Sequence, residues 1–277
     1  MKYLVSGNKG FIGGHLMLRL ISTGHDVMPF DLKDGHDIRD IDALCDRMKG
    51  MDGVLHLAAL PKVPYSIEHP VETTETNILG TVNVLEAARR SGVPRVVSFS
   101  SSSTKAQPTV SPYGAQKKTG EEFCRLFSSL YGMSTVSLRP HNVYGAGMNP
   151  LGGYAPVFLI WKGQYERGEA CTITGDGEQT RDFTAVSDIV EAACAAMFHG
   201  KHLAGEVFDA GSGKPITINR AKELFLEVFP GARFEYIPER MGDQKHSRAD
   251  LSTADLINWR PSVDPEEGIR ALFRSWA

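Results

Sequence analysis

Disulfide and zinc chemistry have little to work with in this sequence. Its 277 residues include four cysteines, Cys45, Cys124, Cys171 and Cys194, scattered with no C-x-x-C pair, so neither a disulfide framework nor a zinc site is expected and a reducing compartment fits. An excess of charge of one sign is also missing. Thirty basic residues stand against thirty-three acidic ones, a formal net charge of -3, and no basic run could neutralise a phosphate backbone, so nucleic acid is not an expected partner. The opening stretch, Met1 to Gly7, reads as a strand whose apolar run is too short and too glycine-punctuated for a signal peptide or membrane span. A cytoplasmic protein with no membrane partner is expected. Internal repeats are absent, and Ser100 to Ser103 is the nearest thing to a low-complexity tract. What is there, 42% hydrophobic and 23% charged residues, is the composition of a globular chain long enough to bury its own core.

Short β-like runs recur at Tyr3 to Ser6, Asp26 to Phe30, Gly53 to Leu57, Arg95 to Phe99 and Thr135 to Leu138, with helical patterns between most of them. That alternation predicts an α/β protein with a doubly wound parallel sheet. In Asn77 to Arg90 the apolar residues Ile78, Val82, Leu85 and Ala88 recur at helical spacing, and Gly92 and Pro94 end the pattern. Beyond Pro140 glycine-rich turns such as Gly175-Asp176-Gly177 predict a smaller second lobe. The expected division is a dinucleotide-binding domain over 1–165 and a substrate-binding lobe over 166–277. The chain is expected to cross back near 184–212, with a helix over Thr184 to Met197 and a strand over Glu206 to Ala210 rejoining the first sheet.

Gly7, Gly10 and Gly13 follow the first strand and open a helix, a G-x-x-G-x-x-G turn that lets a pyrophosphate approach the amides of the helix N-terminus. Asp31 ends the second strand, where a carboxylate accepts both ribose hydroxyls of NAD and repels the 2'-phosphate of NADP; it could also simply cap a turn. Asp37 and Ile38 either meet the adenine amino group or begin a helix, with Asp37 as its N-cap. Tyr113 and Lys117 stand at i, i+4 on one helix face, where the cation lowers the phenol pKa toward that of a working base. The serine run closes the fourth strand at the sheet's carboxyl edge and supplies hydroxyls beside that tyrosine. His199-Gly200-Lys201-His202 has no carboxylate at metal-ligand spacing and reads as a helix end, so no metal is expected. His56 reads as a residue packed in a strand, and Trp161, Trp259 and Trp276 as core or interface.

Together these residues resemble the extended short-chain dehydrogenase/reductases, in their NAD-dependent nucleotide-sugar epimerase/dehydratase branch and most closely the UDP-glucose and UDP-N-acetylglucosamine 4-epimerases. The resemblance runs nearly end to end: the Gly7 to Gly13 turn with Phe11 and Ile12, His56 to Ala59, Asn77 to Thr81, the serine run, Tyr113 to Lys117, Arg139 to Gly145, and Gly175 to Phe183. It implies NAD as cofactor, Tyr113 as catalytic base, Lys117 as its pKa-lowering partner and ribose ligand, and Ser101, with Ser102 as neighbouring candidate, as the hydroxyl bridging tyrosine and substrate. It also implies that Leu57, Ala58 and Ala59 line the cofactor groove, Asn77 contacts the loop over the nicotinamide ribose, and Pro140 abuts the nicotinamide. Asn142, Arg181 and Arg240 would meet the phosphates of a UDP-hexose, and Asp243 a ribose hydroxyl. A homodimer through the helices near Asn77 to Arg90 and Gly120 to Tyr131 is implied as well.

The activity so implied is inversion of C4 through a transient 4-keto sugar. The alternatives are a dehydratase, decarboxylase or keto-sugar reductase on the same scaffold, or a non-catalytic NAD-binding regulatory module. Dehydratases and decarboxylases of the branch carry an acidic residue just after the catalytic Ser/Thr; here Ser102 and Ser103 follow. The chain departs from the pattern in three places. Thr104 to Pro112 joins the serines to Tyr113 as a shortened loop, His141 replaces a common aromatic residue, and Pro61-Lys62 occupies a stretch that shapes the sugar pocket, where Lys62 meets an anionic sugar or faces solvent.

Overall fold

In a computed structural model of the chain, which describes residues 1–106, 108–148, 157–239 and 245–277, strands and helices alternate through the first half. In order come β1 (Lys2–Ser6), α1 (Phe11–Ser22), β2 (Asp26–Phe30), α2 (Ile41–Met48), β3 (Gly53–His56), α3 (Val63–Glu68), α4 (Pro70–Thr74), a π-helical turn (Glu75–Leu79), α5 (Gly80–Arg90), β4 (Arg95–Phe99), α6 (Pro112–Tyr131) and β5 (Ser134–Pro140). The second half adds β6 (Val143–Tyr144), α7 (Val157–Glu166), β7 (Cys171–Thr174), β8 (Thr180–Arg181), β9 (Thr184–Ala185), α8 (Val186–Phe198), β10 (Ala204–Ala210), β11 (Ile216–Thr217), α9 (Ile218–Val228), β12 (Phe234–Ile237) and α10 (Pro265–Arg274).

Six strands form one sheet in the order β10-β5-β4-β3-β1-β2, every pair parallel. Parallel strands need covered faces, and both faces are apolar here. Leu16, Leu20, Ile189 and Ala193 of α1 and α8 pack one side with Val5 and Val97. Leu44, Met48, Val84, Leu85, Cys124 and Phe127 of α2, α5 and α6 pack the other with Leu4 and Val96. Each fully buried Leu or Val contributes about 1.5–3 kcal/mol, so the two layers hold the sheet rigid beneath its carboxyl edge. Strand order reverses between β1 and β3, which puts a ligand crevice outside their carboxyl ends. A third apolar cluster of Phe158, Trp161, Phe183, Phe225 and Phe273 gathers α7, α9 and α10.

The strand expected over Glu206 to Ala210 does rejoin the sheet: β10 pairs with β5 from Ala204 to Ala210, and α8 is the helix that brings the chain back. Elsewhere the boundaries shift. The helix expected from Asn77 opens in the π-helical turn and becomes regular α only at Gly80. The cap of α2 is Asp40, whose carboxylate accepts from the amides of Asp42 and Ala43; Asp37 is held by its neighbour, with the Arg39 guanidinium donating to both its oxygens. Ile38 is buried against Gly80, where an added Cβ would stand 2.5 Å from its Cδ1. The His199 to His202 stretch does end α8, and the cation that serves those last carbonyls is Arg95, donating to the oxygens of Ala196, Met197, His199 and Lys201. Among the described residues no helix is long and apolar enough to cross a membrane, and no group of three or more His, Cys, Asp or Glu is placed to hold a metal ion.

Candidate active site

The glycine turn is built by close approach. Gly7 has φ +75°, and a Cβ there would lie 2.7 Å from the Ala58 nitrogen; a Cβ on Gly13 would lie 2.2 Å from the Gly7 carbonyl oxygen. The turn is tied to the end of β2 by the Gly7 amide on the Phe30 carbonyl and the Phe30 amide on Asn8 Oδ1. Gly10 caps α1 with no side-chain acceptor, and the first helical turn carries no acid. The first amides, those of Phe11 and Ile12 included, thus lie at a positive helix end without a side-chain cap, a donor set suited to a pyrophosphate. Asp31, at the tip of β2, accepts from the amides of Lys9 at 2.9 Å and Lys33 at 3.0 Å, which aims its carboxylate across the same turn. These residues fit a dinucleotide.

Opposite the turn, half-buried Leu57, Ala58 and Ala59 leave β3, and a buried polar chain runs behind them. The Ala58 amide donates to Ser6 Oγ (3.3 Å), and His56 Nδ1 lies 2.8 Å from that hydroxyl. His56 Nε2 lies 3.1 Å from Thr81 Oγ1, whose proton goes to the Asn77 carbonyl. This arrangement requires neutral His56 with its proton on Nε2, and burial, helped by the Lys117 charge, holds its pKa down to about 3. Asn77 in turn accepts from the Leu60 amide and donates to the Leu60 carbonyl and to Gln116 Oε1. His56 is packed in its strand as expected; Ser6, Thr81 and Gln116 were not legible as members, because each is an ordinary polar residue until the fold brings them together.

Tyr113 and Lys117 lie in the first turns of α6, whose start is set by Pro112 and by Ser111 Oγ accepting from the Gly114 amide. The Tyr113 amide is anchored on Ser66 Oγ of α3. Gly114 lets the helix approach the serine turn, since a Cβ there would stand 3.0 Å from the Ser103 carbonyl oxygen. Lys117 is buried and donates to the Phe99 carbonyl at the end of β4 (2.8 Å); desolvation pushes its pKa down to about 8. Ser101, just beyond, caps the 3₁₀ turn Ser102–Lys105, and its Oγ lies 2.6 Å from Ser103 Oγ. Lys117 thus reaches the carboxyl end of β4, and the first turn of α6, which carries Tyr113, packs against the serine turn that follows that strand. Below them Glu121 takes a two-toothed Arg139 guanidinium and the Ser100 hydroxyl. Asp209 holds Lys105 and the Asp250 amide and lies 3.5 Å from His141 Nε2. Desolvation alone would raise its pKa, but these contacts outweigh it and hold the carboxyl down to about 2.

Pro140 ends β5 half-buried, and two residues on, Asn142 sits at φ +32°, a strained conformation for a side-chain-bearing residue. Its amide donates to the Asp182 carbonyl at 3.3 Å, which brings Asn142 beside the segment carrying Arg181. Asp182 itself is fully buried and accepts from the amides of Ser212, Gly213 and Ala249 and from Ser212 Oγ, a hub that the sequence did not signal. Lys62 is exposed at the start of α3. Arg240 and Asp243 lie outside the described residues.

A doubly wound parallel sheet with a glycine turn at its first crossover and a Tyr/Lys pair beside the fourth strand defines a dinucleotide-dependent short-chain dehydrogenase/reductase. Residues 3–211 match the NAD dependent epimerase/dehydratase family, and the chain belongs to it: an NAD-dependent enzyme of extended short-chain type. It is 34% identical to the UDP-glucose 4-epimerase of Mycolicibacterium smegmatis over 97% of this chain and 96% of that protein. It is 33% identical to a putative UDP-glucose 4-epimerase of Methanocaldococcus jannaschii, again over 97% and 96%. The Thermotoga maritima UDP-glucose 4-epimerase, solved with UDP-glucose, superposes with a TM-score of 0.89 at 31% identity, covering 99% of this chain and 98% of that one.

Proposed function

We propose that the protein is an NAD-dependent 4-epimerase of UDP-hexoses. The observation that carries this reading is Lys117, buried and tied to Phe99 at the foot of the serine run, one helical turn from Tyr113, with no carboxylate directly after Ser101. Tyr113 takes the proton of the sugar 4-hydroxyl, and the Lys117 cation stabilises the phenolate that must form. NAD, when bound, would supply the acceptor and donor of the C4 hydride. Ser101 Oγ orients the 4-oxygen, and Tyr113 hands the proton back once the ketone has turned over. Asn142 and Arg181, joined by Arg240 and Asp243, hold the UDP, so that remote binding energy retains the keto sugar while the ring stays mobile. Gly7, Gly10, Gly13, Phe11, Ile12, Asp31, Asn77 and Pro140 hold the dinucleotide. Residues 1–165, joined by the segment that crosses back near 184–212 with α8 and β10, form the cofactor domain, and the rest of 166–277 the sugar lobe.

Dehydration and decarboxylation are the less favoured readings, because Ser102 and Ser103 bring no acid to the keto intermediate. We also place the enzyme in the cytoplasm, consistent with its four free cysteines, as a homodimer paired through the faces that leave Leu79, Leu126, Leu130 and Tyr131 exposed. Purified protein with NAD, given UDP-glucose or UDP-galactose and followed by NMR, is expected to interconvert the two. Failure on these and on their N-acetyl and uronate counterparts overturns the reading.

A further inference from the structure

Gln116 lies between Tyr113 and Lys117 in the sequence, yet it faces the π-helical turn, and it is 3% exposed. Its whole amide is in use. Nε2 donates to Thr73 Oγ1 at 2.9 Å and Thr74 Oγ1 at 3.1 Å, and Oε1 accepts from Asn77 Nδ2 at 2.9 Å. Asn77 spends the rest of its own amide on one residue, accepting from the Leu60 nitrogen at 2.8 Å and donating to the Leu60 oxygen at 3.1 Å. Neither amide can flip, because a flip sets N–H against N–H in a buried site where a lost partner is costly. Leu60 belongs to the stretch that leaves β3 through Ala58 and Ala59 and enters α3 after Lys62.

The geometry points to Gln116 as a positioning residue for the reaction: acting through Asn77, it fixes the 57–62 loop, one wall of the cofactor groove, at a set distance from Tyr113 and Lys117. The π-helical turn fits this arrangement, since such turns re-aim a side chain out of regular helical register, here that of Asn77. The inference rests on the cofactor reading above but not on the identity of the sugar.

The test is amide hydrogen exchange at Leu60 together with NAD affinity, measured by titration, in Gln116→Leu and Gln116→Ser. Both variants lose the bond to Asn77, one keeping bulk and the other polarity. Each is expected to speed Leu60 exchange and weaken NAD binding by roughly tenfold, the effect of one lost buried hydrogen bond, while exchange over 120–130 of α6 is unchanged. Gln116→Glu, which can still accept from Asn77, restores Leu60 protection. If one variant does not fold, the other carries the same expectation. Leu60 exchange and NAD affinity within twofold of wild type, or exchange raised evenly along α6 with no rescue by glutamate, overturns the proposal. A wild-type enzyme that turns over no nucleotide sugar defeats the functional reading instead, and leaves both of these measurements able to decide.

Discussion

The Lys117 ammonium donates to the carbonyl oxygen of Phe99, the last residue of β4, at 2.8 Å. That bond fixes the cation at the root of the serine run and gives Tyr113, one turn earlier, its working environment. Tyr113→Phe is therefore expected to lower kcat by roughly 10²–10⁴-fold, the usual contribution of a positioned base, with UDP binding by calorimetry within twofold of wild type. Full activity in this variant would remove the mechanism.

The same burial has a cost in stability. Folded Lys117 gives up its proton at about 8, whereas the unfolded chain holds it to 10.5. Between those values the unfolded state binds the extra proton, so stability rises with pH; below pH 8 the full burial penalty is present. Urea titrations of wild type at pH 7 and pH 9.5 are expected to differ by about 2 kcal/mol from this group, the roughly 1.5 pH units crossed above the folded pKa. Lys117→Met, inactive, should lose that rise. An unchanged pH dependence in the variant would show that the lysine is not desolvated.

His56 behaves in the same sense at the acid end. Burial keeps it neutral with a pKa of about 3, against 6.5 for an imidazole in the unfolded chain, so below pH 6.5 the unfolded chain takes up a proton that the folded one refuses. Stability drops as pH falls through that window, by on the order of 4 kcal/mol if the whole interval is crossed. His56→Gln should flatten the acid limb of an unfolding profile while lowering stability at pH 7. An acid limb as steep as wild type would place the lability elsewhere.

Asp31 sits where it chooses between cofactors. Its carboxylate is already aimed by the Lys9 and Lys33 amides, so turn-capping and ribose recognition use the same orientation. Asp31→Ser is expected to keep the turn and to move the NAD-over-NADP affinity ratio by about 10–100-fold toward NADP, the loss of one charge-assisted bond and one repulsion. A ratio within twofold of wild type would make Asp31 a turn residue only.

Much of this was legible in the chain because the chemistry is local. The glycine turn, Asp31 and the Tyr113/Lys117 spacing each lie within one strand–helix junction, where period and turn chemistry speak directly. The strand expected over Glu206 to Ala210 was also readable as a short β-like run, although it begins two residues earlier, at Ala204. Gln116, Thr81 and Asp182 were not. Each meets a partner between 25 and 67 positions away, and a polar residue in a helix or after a strand carries no sign of which long-range donor it will meet. The π-helical turn at Asn77 was hidden for the same reason, its extra residue being held by the Leu60 and Gln116 contacts.

Asp182 tests how far the nucleotide end depends on that kind of hidden hub. Its two oxygens accept from three amides and two hydroxyls, drawn from the Ser212-Gly213 turn, Ala249 and Thr184, with no cation among these donors. Asn142 donates to its carbonyl, and Arg181 precedes it in the chain. In Asp182→Asn the shape survives, but an NH₂ group faces donors that had an acceptor, leaving at least one buried amide unmet. A loss of about 2–3 kcal/mol in urea unfolding is expected, with UDP affinity falling at least severalfold because Asn142 and Arg181 lose their common reference. NAD affinity should stay unchanged, since the glycine turn shares none of these donors. Equal losses for both ligands would mean that the whole fold, and not the nucleotide end alone, leans on this carboxylate.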